Sequence, residues 1–195
     1  MYSVVEIFTS LQGEGRFVGH PVNFVRLAGC SMGCKFCDTD IKEREALSTK
    51  QIIDRLDPKY SRRVVITGGE PLEQDIAELT WTLSNGGFII HLETNGTRNL
   101  KGGVVDWVSL SPKPRKPPLM SLYYRADEIK WLVPLWKLDD ILPKTLLFDV
   151  RHYVQPVNNR LSINKKALQK CLEYIKRGNG KLLLSVQLHK LLGLK

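Results

Sequence analysis

Short β-branched runs alternate with helical stretches along most of the chain, and this alternation limits the fold more than any other feature. Val4 to Phe8, Val22 to Leu27, Arg63 to Thr67, Phe88 to Leu92, Val104 to Leu110, Glu128 to Val133, Phe148 to Val154 and Leu182 to Val186 read as strands. Between them, Ser48-Thr49-Lys50-Gln51 forms a capping box that predicts a helix through about Leu56. Leu72, Ile76, Leu79 and Leu83 share one helical face, and Gly86-Gly87 stops that helix. Leu168, Cys171, Leu172 and Ile175 mark another, closed by Gly178. Strands separated by helices predict an α/β fold with a mostly parallel sheet, right-handed connections and ligands at the carboxyl ends of the strands.

With 195 residues, 43% hydrophobic and 25% charged, the chain is expected to form one domain with a substantial core. No apolar run is long enough to span a membrane, and the start, Met1-Tyr2-Ser3-Val4-Val5-Glu6, lacks a basic region followed by an apolar stretch. The expectation is a cytoplasmic protein. The net charge of +9 suits either nucleic acid or anionic small molecules. The basic residues are scattered, as at Arg62-Arg63, Lys165-Lys166 and Lys176-Arg177, and form no long stripe. Solvated surface plus an anion site is therefore the favoured reading, and nucleic acid is not the expected partner. Pro112 to Pro118 can be neither regular helix nor central strand.

Three cysteines follow the second strand as Cys30-Ser-Met-Gly-Cys34-Lys-Phe-Cys37. A structural zinc site takes four ligands, and none of the histidines lies close behind these three in zinc-finger spacing. Three close cysteines cannot all pair as disulfides. A [4Fe–4S] cluster normally takes four thiolates, so three on one loop leave one iron open for chemistry. Cys171 sits at a core position of a helix and is expected to be inert.

The strand ending in Ile66-Thr67 runs into Gly68-Gly69-Glu70-Pro71. The two glycines let a ligand approach the backbone, and proline suits a helix start. Ser10-Leu11-Gln12-Gly13-Glu14-Gly15 reads as a turn that presents a carboxylate. Arg26, just before the cysteines, carries a planar fork suited to a carboxylate, although a surface turn and a structural ion pair explain these residues too.

The cysteine motif, with Gly-Gly-Glu, resembles the radical S-adenosylmethionine (SAM) enzymes. With Cys37-Asp38-Thr39, Glu93-Thr94-Asn95-Gly96-Thr97, Ser111-Pro112-Lys113, Gln155-Pro156 and Gln187-Leu188-His189-Lys190, the chain resembles the 7-carboxy-7-deazaguanine synthase family over essentially its whole length. That resemblance implies a partial TIM-like β/α barrel in a single radical SAM domain, residues 1–195. It implies conversion of 6-carboxy-5,6,7,8-tetrahydropterin to 7-carboxy-7-deazaguanine with release of ammonia, on the 7-deazapurine and queuosine route. A 5′-deoxyadenosyl radical takes a substrate hydrogen, and SAM is regenerated. Cys30, Cys34 and Cys37 would hold the [4Fe–4S] cluster and Thr39 would bind Mg2+. Phe36, Cys37, Asp38, Gly69, Ser111, Pro112, Lys113, Gln155 and Pro156 would line SAM. Leu11, Gln12, Gly13, Glu14, Arg26, Thr67 and His189 would contact substrate, Glu14 at the donor edge of the pterin and Arg26 at its carboxylate. His189, a lone late histidine, is the weaker candidate. Glu93 and Asn95 either position SAM or end a strand. A one-electron reductant of flavodoxin or ferredoxin type and a homodimer are implied as partners.

Phe36 stands where the family often has tryptophan, and the stretch from Pro114 to Leu147 diverges. Two rivals remain. A radical SAM activase would bind a larger protein, against which the polar Gln12 to Gly15 run argues. A basic, metal-stabilised nucleic-acid binder would be colourless with zinc, whereas an iron–sulfur protein is brown.

Overall fold

The computed structural model describes residues 1–37, 44–158 and 162–194. Asp38 and Thr39, expected at SAM and Mg2+, lie outside the described residues. The chain forms two compact units: Met1–Leu11, His20–Thr94 and Arg98–Val108 in the first; Gln12–Gly19, Asn95–Thr97 and the segment from Ser109 onward in the second.

The first unit holds β1 (Tyr2–Leu11), β2 (Pro21–Leu27), β3 (Glu45–Leu47), α1 (Thr49–Asp54), β4 (Arg63–Gly68), α2 (Ala77–Asn85) and β5 (Ile89–Thr94). Its strands lie in the order β3-β1-β2-β4-β5. β1 runs antiparallel to β2 and β3, whereas β2, β4 and β5 are parallel. Val64, Val65 and Ile66 are each inaccessible, so β4 is covered on both faces, as its unbroken apolar run requires. Phe8 stacks on Phe24 at 5.0 Å over Val22 and Val65. Ile52, Leu79 and Leu83 contribute the apolar sides of α1 and α2.

The capping box forms as expected. Ser48 accepts from the Gln51 backbone N–H, and the Gln51 side chain accepts from the Ser48 backbone N–H at 2.9 Å. The expected continuous helix after Gly-Gly-Glu does not form. A single 3-10 turn (Pro71–Glu73) is followed by extended Gln74, and α2 starts only at Ala77. Gln74 leaves the helix because its amide is used elsewhere. It accepts from Ser3 N–H at 2.9 Å and donates to Ser3 O and Ala28 O, each at 3.0 Å. Leu72, Ile76, Leu79 and Leu83 are all buried nonetheless. The apolar spacing therefore reported burial rather than helix continuity.

The second unit holds the end of β6 (Trp107–Leu110), α3 (Met120–Arg125), β7 (Glu128–Val133), α4 (Leu138–Leu147), β8 (Arg151–Pro156), α5 (Lys165–Arg177), β9 (Leu182–Leu184) and α6 (Leu188–Leu192). The strands β6, β7, β8 and β9 pair in parallel. All six residues of β7 are buried. Trp131 donates from Nε1 to His152 Nδ1 at 3.0 Å, so Nε2 carries the proton that faces Phe148 O at 3.0 Å. Burial lowers the His152 pKa and favours this neutral ring.

Several strands are shorter or shifted relative to the sequence reading: β5 runs Ile89–Thr94 and β9 ends at Leu184. Val104 to Asp106 stay outside β6, where Asp106 accepts from Ile90 N–H through Oδ2. Phe148 caps the end of α4, which delays β8 to Arg151. The elements β3, α3, α4 and α6 carried no clear signal. α4 contains Pro143, and the others are short. Pro112 to Pro118 has no regular structure beyond an isolated bridge between Lys113 and Lys116.

Ser48→Ala removes the acceptor half of the capping box and is expected to cost about 1 kcal/mol, a fall of roughly 2–4 °C in Tm. A thermal unfolding midpoint equal to that of the wild type would contradict this.

Candidate active site

The cysteine loop in the first unit is tied at its root to the Gly-Gly-Glu turn. Gly69 N–H donates to Leu27 O at 3.0 Å and Glu70 N–H to Gly29 O at 2.8 Å. A Cβ on Gly69 would lie 2.1 Å from Gly29 O and 2.9 Å from Cys30 Cβ, so no side chain fits there. Glu73 Oε1 accepts from Ser31 N–H at 2.8 Å. Cys37 N–H donates to Cys34 O at 3.0 Å and turns the loop. Phe36 is half-buried and Cys37 is exposed.

Glu70 itself is fully buried. Its Oε1 caps Leu72 N–H at 3.0 Å and accepts from Thr94 Oγ1 at 2.6 Å. The carboxylate of this motif therefore holds the turn that brings Gly69 to the cysteines.

None of Cys30, Cys34 and Cys37 is in a disulfide. Burial pushes the Cys30 thiol up, and Glu73 and Glu70 add to that. Cluster irons would reverse it, because a coordinating thiol is deprotonated by the metal charge. Among the described residues, no three His, Cys, Asp or Glu side chains converge as ligands of one ion. A cubane does not need such convergence, since each thiolate binds a different iron. Three cysteines on one loop, none in a disulfide, with a backbone cradle behind them, fit a cluster with one open iron.

A polar row crosses the same unit at the carboxyl ends of its parallel strands. Glu6 faces Arg26 across β1 and β2, and Arg26 faces Thr67 across β2 and β4. Arg26 donates from Nε to Glu6 Oε1 at 2.8 Å and lies 5.7 Å from the Phe8 ring centre. Among the described residues, its two Nη groups have no other hydrogen-bond partner. Thr67 donates to Glu93 Oε2 at 3.1 Å. Arg26 and Thr67, both expected at substrate, thus stand side by side, joined by Glu6 and Glu93. Leu11 ends β1 opposite Pro21.

In the second unit, residues 12–16 are pinned by groups distant in sequence. Gly15 N–H donates to Ser185 Oγ at 3.1 Å, and Ser185 donates to Gln155 Oε1 at 2.7 Å. Arg16 N–H donates to Glu128 Oε2 at 2.9 Å, and Leu188 N–H to Gly13 O at 2.9 Å. Gln12 Oε1 accepts from Glu14 N–H at 3.1 Å. Neither glycine leaves free room for a side chain. A Cβ on Gly13 would lie 2.0 Å from His189 Nδ1, and one on Gly15, whose φ is +65°, would lie 2.2 Å from Glu128 Oε1. His189, the weaker of the expected substrate residues, therefore packs directly on Gly13.

Glu14 receives Lys130 Nζ on Oε2 at 2.6 Å and Gln187 Nε2 on Oε1 at 2.9 Å. The side chains of Lys130 and Glu14 are 4% and 15% exposed. Burial raises the Glu14 pKa, but the Lys130 charge and hydrogen bond, with the Gln187 hydrogen bond, outweigh it and hold the carboxyl at about 2. Sequence reading missed Glu128 and Lys130. Their signal was two charges, two residues apart, on one face of an otherwise apolar strand.

The remaining expected SAM residues are also in the second unit. Lys113 Nζ donates to Ser111 O at 2.8 Å and Ser111 Oγ at 2.6 Å, and Pro112 O accepts from Trp136 Nε1 at 2.9 Å. Gln155 and Pro156 are buried at the end of β8. Asn95 accepts from Thr97 N–H at 2.9 Å, an Asx turn just past β5.

Residues 24–114 match the radical SAM superfamily model. That membership implies a [4Fe–4S] cluster and SAM, and it places the chain in the partial β/α-barrel class expected from the sequence. The 7-carboxy-7-deazaguanine synthase of Buchnera aphidicola is 32% identical over all of this chain and 99% of its own. That of Synechocystis is 40% identical over 68% of this chain and 65% of its own. The crystal structure of QueE from Escherichia coli superposes with a TM-score of 0.80 at 30% identity, over 96% of this chain and 94% of that one. The chain belongs to the 7-carboxy-7-deazaguanine synthase family of radical SAM enzymes. No helix among the described residues is long and apolar enough to cross a membrane.

Gly15→Ala combines a left-handed backbone with a clash against Glu128 and is expected to destabilise by about 1–3 kcal/mol. An unchanged denaturation midpoint would remove the Gly15–Glu128 packing from this account.

Proposed function

We propose that this chain converts 6-carboxy-5,6,7,8-tetrahydropterin to 7-carboxy-7-deazaguanine with release of ammonia. The observation that carries this reading is the mostly buried Glu14 carboxylate, kept ionised by Lys130 and Gln187 on a turn of fixed backbone. An ionised carboxylate only accepts hydrogen bonds, and the amino and ring N–H groups along one edge of a pterin only donate. The family-wide likeness at full length supports the same substrate.

Cys30, Cys34 and Cys37 are proposed to hold the cluster, with Gly69 giving SAM close access to the backbone. Phe36, Asp38, Ser111, Pro112, Lys113, Gln155 and Pro156 are proposed along SAM, and Thr39 at Mg2+, which commonly keeps few protein ligands. When bound, the cluster and SAM would supply the radical chemistry, with the electron coming from the reductant.

Arg26 serves the substrate carboxylate. Its Nε is already held by Glu6, which leaves its two Nη groups as a fork. Leu11, Gln12, Gly13, Thr67 and His189 complete the proposed substrate contacts. The whole chain would act as one radical SAM domain, in the cytoplasm, as a homodimer served by a flavodoxin- or ferredoxin-like reductant.

Two variants test the assignment by anaerobic kinetics. Cys34→Ala is expected to lose the brown cluster and all SAM cleavage; retained turnover would sink the cluster assignment. Arg26→Ala is expected to keep the cluster and raise KM for the pterin by roughly 10- to 100-fold, the loss of about 1.5–3 kcal/mol for charged hydrogen bonds. Unchanged KM and kcat would exclude Arg26 from the site.

A further inference from the structure

Lys130 is a lysine inside a fully buried strand, and its ammonium contacts Glu14, 116 residues away in sequence. Burying an ammonium is expensive without a partner, and a well-packed apolar side chain often serves stability as well as a buried ion pair does. Stability alone is therefore a poor reason for a lysine at this position.

Nor does the turn need Lys130 to keep its shape. The backbone of residues 13–16 is fixed by Leu188 N–H on Gly13 O, Gly15 N–H on Ser185 and Arg16 N–H on Glu128. Gln187 fixes the other Glu14 oxygen. What Lys130 adds is charge.

We propose that Lys130 is a positioning residue for the reaction: from within β7 it keeps Glu14 ionised, with the carboxylate's remaining lone pairs open to the donor edge of the substrate heterocycle. An ionised carboxylate offers about four lone-pair sites, of which Lys130 and Gln187 occupy two. A protonated Glu14 would bring a donor to a substrate edge that itself donates, and leave a polar mismatch at a mostly buried group.

Among the described residues, the side chains that act on Glu14 are Lys130, Gln187 and His189. Lys130 comes from β7, and Glu128 of the same strand is engaged by the Arg16 backbone N–H. Gln187 and His189 come from the amino-terminal end of α6, and the His189 charge acts on Glu14 only weakly beside that of Lys130. Without Lys130, burial would be opposed chiefly by the neutral Gln187 amide, and the Glu14 carboxyl would rise.

This inference rests on the pterin reading, so its test has one arm that needs no substrate. In reconstituted enzyme, infrared difference spectra against Glu14→Gln isolate the Glu14 band. The wild type is expected to show a carboxylate from about pH 5 to pH 9, whereas Lys130→Met shows a protonated carboxyl at about pH 6 that ionises as pH rises. In kinetics, the KM of the wild type is expected to show no Glu14 ionisation. Lys130→Met raises KM at least roughly tenfold at about pH 6 and recovers toward alkaline pH, with a smaller change in kcat. Lys130→Arg keeps the charge and is expected to lack this acid limb.

A merely structural Lys130 would give a loss independent of pH, and that result overturns the proposal. An ionised Glu14 in Lys130→Met at about pH 6 overturns it equally. If Lys130→Met does not fold, Lys130→Gln keeps a donor without charge and is read by the same criteria. If the wild type fails to turn over the pterin, the substrate reading falls, and the infrared arm still decides whether Lys130 sets the charge of Glu14.

Discussion

The close approach of Gly69 to Gly29 and Cys30 is the contact on which the cysteine loop depends. Two parallel strands, β2 and β4, run in register to this point, and two backbone hydrogen bonds then join the loop that follows one to the turn that follows the other. A loop of this length has no regular structure of its own. Its root is fixed because β4, covered on both faces, cannot shift, and because Glu70 spends its carboxylate on capping the turn. Gln74 closes the arrangement by leaving the helical path to join Ser3 and Ala28. The interruption of that helix, which looks like a defect, is what binds β1 and β2 to the Gly-Gly-Glu turn.

In the second unit the controlling interaction is electrostatic. Lys130 and Glu128 project from a buried strand toward the Gln12 to Arg16 segment, one taking the Glu14 carboxylate and the other the Arg16 backbone. A strand of this burial would ordinarily carry apolar side chains on both faces. Its charged residues are tolerated because each finds a partner across a long sequence separation. The packing around this segment also leaves little room beside its two glycines: a Cβ at residue 13 would meet His189, and one at residue 15 would meet Glu128.

Much of this was legible in the sequence. The capping box at Ser48, the strands at Val22, Arg63 and Glu128, and the helix closed by Gly178 each follow from local chemistry, and each forms. The three cysteines and the Gly-Gly turn were readable because their spacing is itself the signal. Where reading failed, the cause was non-local. Spacing could not show that Gln74 would leave the helix for Ser3, and Phe148 was assigned to a strand although α4 claims it as a cap. The partner of Arg26 is Glu6, on the antiparallel neighbour strand, and that of Glu14 is Lys130, far along the chain. Such pairings exist only once the strands are registered.

The central claim is that this chain uses radical SAM chemistry on a carboxylated pterin. The most direct measurement is anaerobic turnover of the reconstituted protein with SAM, a strong reductant, Mg2+ and 6-carboxy-5,6,7,8-tetrahydropterin, with product and SAM both followed by mass spectrometry. The expected result is 7-carboxy-7-deazaguanine formed in many turnovers with no net loss of SAM. A brown protein that cleaves SAM but leaves the pterin intact would contradict it.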